Sequence, residues 1–183
     1  MTNPDPKLTS EQAMQFFKDE EFELAAELFQ QTAAEFTHTG DLVLAAEARN
    51  NQSVALLQAG KPAEALAAAS GTEIVFKEAG DASRQAQSLG NQAAAQQALN
   101  HLPEAVDLFL QAAEIFKTSN ELEFYSLVMK NISSIRMRQG KPMDSLFAMN
   151  QALNVKTHLS LRERIIRWLS NLAFRMFNRP PLQ

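Results

Sequence analysis

Asn51 to Phe76 reads NQSVALLQAGKPAEALAAASGTEIVF. Apolar residues at helical spacing run up to Gly60-Lys61-Pro62, and an alanine-rich run follows. Glycine ends helices and proline starts them, so the stretch predicts helix, turn, helix. Shifted by 40 residues, the pattern recurs without a gap. Ala25, Ala65, Ala105 and Ser145 share one column, and Ala13, Ser53, Ala93, Ser133 and Ala173 another. Glu20, Gly60, Asn100 and Gly140 form a turn column, while Gly40, Gly80, Asn120 and Ser160 close each unit. Asn51, Asn91, Asn131 and Asn171 align in a fourth column, and Phe36, Phe76 and Phe116 in a fifth. Two helices per unit at a fixed period predict an α-solenoid, because such a unit buries its apolar face only by stacking on its neighbours. The expectation is one all-α domain, a right-handed solenoid of about four and a half helix-turn-helix repeats ending in an unpaired capping helix.

Composition narrows the function classes. The 183 residues include no cysteine, which removes disulfides, thiolate metal sites and cysteine nucleophiles. Apolar runs are only a few residues long, against the roughly 20 that cross a bilayer. The first residues, MTNPDPKLTSEQ, carry no basic stretch followed by an apolar one, so no signal peptide is expected and a cytoplasmic location is the default. The formal net charge of −4 argues against nucleic acid as a partner. Its distribution is uneven: residues 1–158 hold 12 Lys and Arg against 20 Asp and Glu, whereas residues 159–183 hold five Arg against Glu163 alone. A cationic end sits on an acidic body.

Along the chain, residues 1–8 read as a disordered lead, and Thr9 with Gln12 has capping-box spacing that places the first helix start near Ser10. Repeats are expected at about 9–40, 41–80, 81–120 and 121–158. First helices fall near 41–59, 81–99 and 121–139, and Pro62, Pro103 and Pro142 sit in the first turn of second helices, where a missing N–H costs nothing. Ala25, Leu28, Phe29, Thr32, Ala33 and Phe36 make one apolar stripe on the helix over 22–36. Gly71 and Gly90 interrupt helical runs and predict kinks or close contacts.

Small residues in two columns, a glycine turn between them and a large apolar residue four positions after the second column (Phe29, Phe109, Met149) resemble the tetratricopeptide repeat (TPR) family over essentially the whole chain. The usual period of that family is about 34 residues; the longer period here is similar to the repeats of kinesin light chain and bacterial peptide receptors. The first-helix aromatic or large apolar position is kept at Phe16 and Leu56 and lost at Gln96 and Arg136. The resemblance implies a non-catalytic protein-protein interaction module or adaptor that binds an extended peptide in a concave groove.

The asparagine column is the candidate site. At 100° per residue Asn51 lies about 160° from the packing residue Ser53, so it faces away from the partner helix, and stacking would align the column along one wall. An asparagine amide donates and accepts, matching an extended peptide main chain. Under the resemblance, Asn51, Asn91, Asn131 and Asn171 hold such a main chain; the alternative reading is that they tie neighbouring helices together. One turn away stand Glu47 near Asn51, Gln87 near Asn91, then Lys130, Ser134 and Arg138 near Asn131, and Arg167 near Asn171. This grading toward cations predicts an acidic peptide or a free carboxylate as partner.

The tail, LSLRERIIRWLSNLAFRMF from Leu159 to Phe177, admits two readings. By periodicity it is the first helix of a fifth unit, a capping helix over 159–178 followed by a short tail at 179–183. By amphipathicity it is a basic membrane-surface helix, with Leu161, Ile165, Leu169, Leu172 and Met176 on one face and Arg164, Arg167 and Arg175 opposite. Capping is preferred, with a peripheral membrane adaptor, or a self-associating scaffold, as the alternatives. Trp168 and Tyr125 are expected to pack. There is no phosphate loop, HExxH or GxSxG, and His38, His101 and His158 lack metal-ligand spacing, so no enzyme activity, metal or cofactor is expected.

Overall fold

The computed structural model describes residues 6–156 and 158–176. Most of the expected lead, and the Pro180-Pro181 stop, lie outside the described residues. Ten helices are described: α1 (Pro6–Lys18), α2 (Phe22–Thr39), α3 (Leu42–Gln58), α4 (Pro62–Ala69), α5 (Thr72–Glu78), α6 (Ala82–Ala98), α7 (Leu102–Thr118), α8 (Leu122–Arg138), α9 (Pro142–Asn154) and α10 (Leu161–Met176). The first helix starts at Pro6 rather than near Ser10, because proline is well suited to a helix's first position. Thr9 is accordingly buried inside α1 rather than standing at its N-terminus.

One motif ends most of these helices. Glu20, Gly40, Gly60, Gly80, Asn100, Asn120 and Gly140 all have positive φ, from 59° at Asn120 to 84° at Gly40. Around Gly60, its own amide donates to Leu57 O at 3.1 Å and the Lys61 amide reaches back to Leu56 O at 2.9 Å. That pair of bonds is the Schellman arrangement, which satisfies carbonyls that a helix end leaves open. The same reach recurs from Glu21 to Phe16, Asp41 to Phe36, Asp81 to Phe76, His101 to Gln96, Glu121 to Phe116 and Lys141 to Arg136, at 2.8–2.9 Å. From Glu20 to Gly140 the turn column and the unit-closing column are therefore one device, repeated every 20 residues, which Ser160 does not share. Downstream, the Asp41 and Asp81 carboxylates cap α3 and α6 by accepting from the amides of Leu44 and Arg84. The polar exceptions at Gln96 and Arg136 also have an account. His101 Nδ1 and Gln96 Oε1 lie 2.8 Å apart across their turn, and Arg136 donates to Gln139 at 2.9 Å, so a side-chain bond replaces the apolar contact that usually closes this motif.

The chain forms two compact units, Met1–Leu108 and Phe109–Gln183, where the repeat pattern predicts one domain; the division falls inside α7. In the first unit α1 packs on α2 and α2 on α3, while α3 meets α4, α5 and α6. Both small-residue columns lie in its core. Ala13, Ala25 and Ala65 are fully buried together with Phe29, Leu56 and Ala95. A residue with only a β-carbon lets the helices approach closely enough for Phe29 to be enclosed, and burying a phenylalanine is worth about 1.5–3 kcal/mol. In the second unit α8 packs on α9 and α9 on α10. There the two columns touch directly: Ser133 Oγ and Ser145 Oγ are 2.9 Å apart and buried. Phe36, Phe76 and Phe116 are all buried, as the column implies.

Gly71 breaks the second helix of its repeat into α4 and α5, adopting φ 84° with Ser70 extended beside it. The carbonyls this frees are taken up by the neighbouring helices. The Arg49 guanidinium on α3 donates to Ser70 O at 2.7 Å, and Thr72 Oγ1 to Ala69 O at 2.7 Å. The same Thr72 hydroxyl lies 3.0 Å from Asn50 Oδ1, its one proton shared between that oxygen and Ala69 O, and it pairs with Ser88 on α6, so a buried polar cluster joins α3, α5 and α6. Satisfied in this way, the cluster fixes how these helices meet. Arg84 adds a second tie, lying 5.2 Å from the Phe76 ring and donating to Glu47 Oε2 at 2.8 Å. Bonds from the Arg84 amide and guanidinium hold the Asp81 carboxyl below its ordinary range. Gly90 differs from Gly71 in that α6 runs through it as continuous helix, while at both glycines no atom would lie within 4 Å of an added Cβ. The close contact expected there is not found, and the helix continues through that turn.

Glu20 is the least comfortable of the turn residues. It carries a side chain at φ 63°, where an L-residue other than glycine is strained by about 1–2 kcal/mol, and its charge sits at the negative end of α1. Glu20→Gly should raise the unfolding free energy by about 0.5–1 kcal/mol after the entropy lost by a glycine is subtracted. Urea unfolding followed by circular dichroism checks this; an unchanged or lower midpoint would mean the turn is not held left-handed.

Candidate peptide-binding surface

Asn51 stands on α3, Asn91 on α6, Asn131 on α8 and Asn171 on α10, each in the middle of a first helix. The first three are half-buried and Asn171 is exposed. Packing bonds are carried by other amides. Asn50, one residue before the column, is 8% exposed and accepts from Thr72, and Gln92, one residue after Asn91, is 8% exposed and donates to Glu73 Oε2 at 2.6 Å. Among the described residues, the side chains of Asn51, Asn91 and Asn131 make no hydrogen bond. Asn171 behaves differently, accepting from Asn150 Nδ2 on α9 at 3.0 Å, with Asn150 in turn accepting from Asn154. It plays the helix-tying part in that pair.

Each unit has a cleft beside these positions. In the first, a cleft of about 390 Å³ between α1 and α3 is lined by Lys7, Ser10, Glu11 and Met14 on one side and Leu44, Glu47 and Asn51 on the other. Glu47 is the carboxylate that Arg84 holds, so its charge is partly neutralised. In the second unit, a cleft of about 480 Å³ runs along the N-terminal half of α8 and is lined by Glu123, Ser126, Leu127, Lys130, Lys156 and His158. Lys130, predicted from sequence, thus lies beside two basic residues that sequence reading did not group with it. Ser134 and Arg138 are exposed further along α8, and Arg167 is half-buried on α10.

The entry to α10 is built by a motif legible in the sequence but not read there. Ser160 Oγ accepts from the Glu163 amide at 3.3 Å, and Glu163 Oε2 accepts from the Ser160 amide at 3.0 Å, a reciprocal capping box. Lys156 Nζ donates to Glu163 Oε1 at 2.6 Å, fixing a lysine that lines the second cleft. The Lys156 bond, followed by the Ser160 bonds, lowers the Glu163 carboxyl from its ordinary 4.5 to about 2.

α10 meets α9 with the opposite face from the one its hydrophobicity suggests. Ser170 is fully buried, and Ile166 and Ala173 are half-buried, whereas Leu161, Ile165, Leu169, Leu172 and Met176 are exposed. The reason lies in the repeat register: the columns of Ile166 (Ala46, Ala86, Ser126) and Ala173 (Ser53, Ala93, Ser133) are the buried, small-residue packing columns of the earlier first helices. Trp168, expected to pack, is 62% exposed although the matching positions of the earlier first helices, Ala48, Ser88 and Val128, are buried, while Tyr125 is buried as expected.

Among the described residues no group of histidines and carboxylates could hold a metal ion, and no helix is long and apolar enough to cross a membrane. His38 and His158 are exposed, the latter at the rim of the second cleft.

No protein-family model and no curated protein matches the chain. Solved structures do. A kinesin light chain of nearly identical TPR-like repeats from Podosopora anserina matches with a TM-score of 0.74 at 16% identity, covering 97% of this chain and 90% of that one. A single-residue variant of that protein matches with 0.72 at 16%, covering 94% and 86%. BtubC (BKLC) from P. vanneervenii matches with 0.60 at 14%, covering 94% and 83%. The chain therefore has the all-α solenoid fold of TPR-like repeat proteins, the class named by its residue columns.

Because its folded value lies below the ordinary one, Glu163 stabilises the α10 entry fully above about pH 4.5 and progressively less as pH falls toward 2. Carbon-detected NMR titration of the Glu163 carboxyl should give a midpoint well below those of solvated glutamates, and Lys156→Ala should move it upward. Titration in the ordinary range in the unmodified chain would remove the Lys156–Glu163 pair from the account.

Proposed function

We propose that the protein is a non-catalytic interaction module that binds extended, acidic peptide segments on its first helices. Asn51 and Asn91 on the first unit and Asn131 on the second grip peptide main chain, while Lys130, Ser134, Arg138 and Arg167 favour carboxylates. The observation that carries this reading is the division of labour between adjacent amides. Asn50, Gln92 and Asn150 hold the helices together, and the amides of Asn51, Asn91 and Asn131 are left half-buried with their bonding capacity available. A half-buried amide loses water without gaining a protein partner, so it gains more from a ligand than a solvated one does. The fold supports the class, since TPR-like repeats serve as protein-binding scaffolds, and the second cleft supports the acidic preference through Lys130. Rigid helices spare the protein the cost of ordering, which then falls on the peptide, and affinity is moderate. A cytoplasmic setting, where such segments are exposed on other proteins, belongs to the same proposal.

The test is selection from a displayed random-peptide library, followed by affinity measurement on the selected peptides. Enrichment of Asp and Glu is expected. Asn51→Ala/Asn91→Ala, both on the first unit, should weaken binding about tenfold to thirtyfold, two hydrogen bonds being worth about 1 kcal/mol each. Lys130→Glu with Arg138→Glu should reverse the acidic preference. Peptides that bind the double alanine variant as well as the unmodified chain would assign the asparagines to the scaffold alone.

A further inference from the structure

We propose that the outward face of α10 docks on an anionic lipid surface, with the helix lying in the plane of the interface. At 100° per residue, Leu161, Ile165, Trp168, Leu169, Leu172 and Met176 fall within an arc of about 100°, and all six are exposed, Leu161 and Met176 by 73% each. The helix cannot turn this face inward, because its opposite side already meets α9 through Ser170. Arginines border the stripe: Arg162 on one edge, Arg164 and Arg175 on the other, all exposed. The acidic residue at this end of the helix, Glu163, is turned away from the stripe and held by Lys156.

Two occupants compete for such a face: a helix, which would complete the fifth repeat as in the earlier ones, or a lipid surface. The register decides between them. Arg175 stands in the column of Ala55, Ala95 and Ile135, each 0% exposed. A helix docked as in those repeats would bury the guanidinium in an apolar contact, where an unpaired charge is strongly destabilising. At a membrane interface the same arginine extends its stem along the apolar layer and places its charge among phosphates. Trp168, at the edge of the arc beside Arg175, suits that boundary too, its ring apolar and its N–H able to meet headgroups. The residues flanking the stripe also carry the cationic end of an otherwise acidic chain, so attraction to anionic lipid orients this face toward the surface.

Trp168 is the only tryptophan in the chain, so its fluorescence reports on the stripe directly. The full chain is titrated with phosphatidylcholine vesicles with and without phosphatidylserine, and binding is read by the Trp168 emission maximum and by co-sedimentation. The expected result is a blue shift and co-sedimentation with the phosphatidylserine vesicles, weakened by salt. Arg164→Gln and Arg175→Gln should each reduce the partition constant roughly fivefold, and Leu169→Glu/Leu172→Glu should abolish binding with an unchanged circular dichroism spectrum, both residues being exposed. Emission that neither vesicle moves overturns the proposal, as does equal binding to phosphatidylcholine alone. So does a blue-shifted, concentration-dependent dimer in the absence of lipid that Leu169→Glu/Leu172→Glu dissociates, which would give the stripe to a second copy.

Discussion

The structure rests on a left-handed residue placed every 20 positions, from Glu20 to Gly140. A helix of any length could end in many ways; the Schellman bonds let it end in one, with the next helix leaving at a set angle and phase. Because the spacing is constant, residues 40 apart occupy equivalent places, and a small residue in one repeat predicts a small contact in the next. The alanine and serine columns, the buried phenylalanines and the asparagine column all follow from that phase. Where glycine is absent, asparagine serves at 100 and 120, as expected of the residue that tolerates this conformation best after glycine.

Register also explains where the repeats part from an ideal pattern. Gly71 splits one helix, but α3 and α6 supply Arg49, Asn50 and Ser88 to the broken ends, so the loss of helix bonds is offset by a buried cluster. The amides so engaged stand one residue away from Asn51 and beside Asn91. A shift of one position on a helix, 100° around its axis, separates an amide that fixes the scaffold from one that faces outward. This is the physical basis for proposing Asn51 and Asn91 as ligand contacts beside Asn50 and Gln92, which hold the scaffold.

Much of this was legible from residues alone, because periodicity is a long-range signal carried by sequence spacing. The columns give α3, α6 and α8 to within a residue or two and locate the turns. Other features were hidden for identifiable reasons. The Pro6 start was missed because the capping-box spacing of Thr9 and Gln12 was read as the helix entry, whereas the proline at position 6 already favours a first turn. Register placed Ala173 of α10 in a packing column, but which face of that helix stays exposed could not be read from its hydrophobicity. Ser160 and Glu163 have the spacing of a capping box, but their link to Lys156 needed the path of the chain between α9 and α10. The clefts, likewise, gather residues such as Lys7 with Asn51, or Lys130 with His158, that no local pattern joins.

If constant phase is the organising constraint, the backbone at its non-glycine turns must be left-handed in solution. The most direct test is the backbone dihedral of Glu20, Asn100 and Asn120 from assigned carbon chemical shifts and three-bond HN–Hα couplings. The account predicts positive φ near 60° at all three. Right-handed helical or extended values there would contradict it, since the helices would then meet at other angles and the columns would lose their common environment.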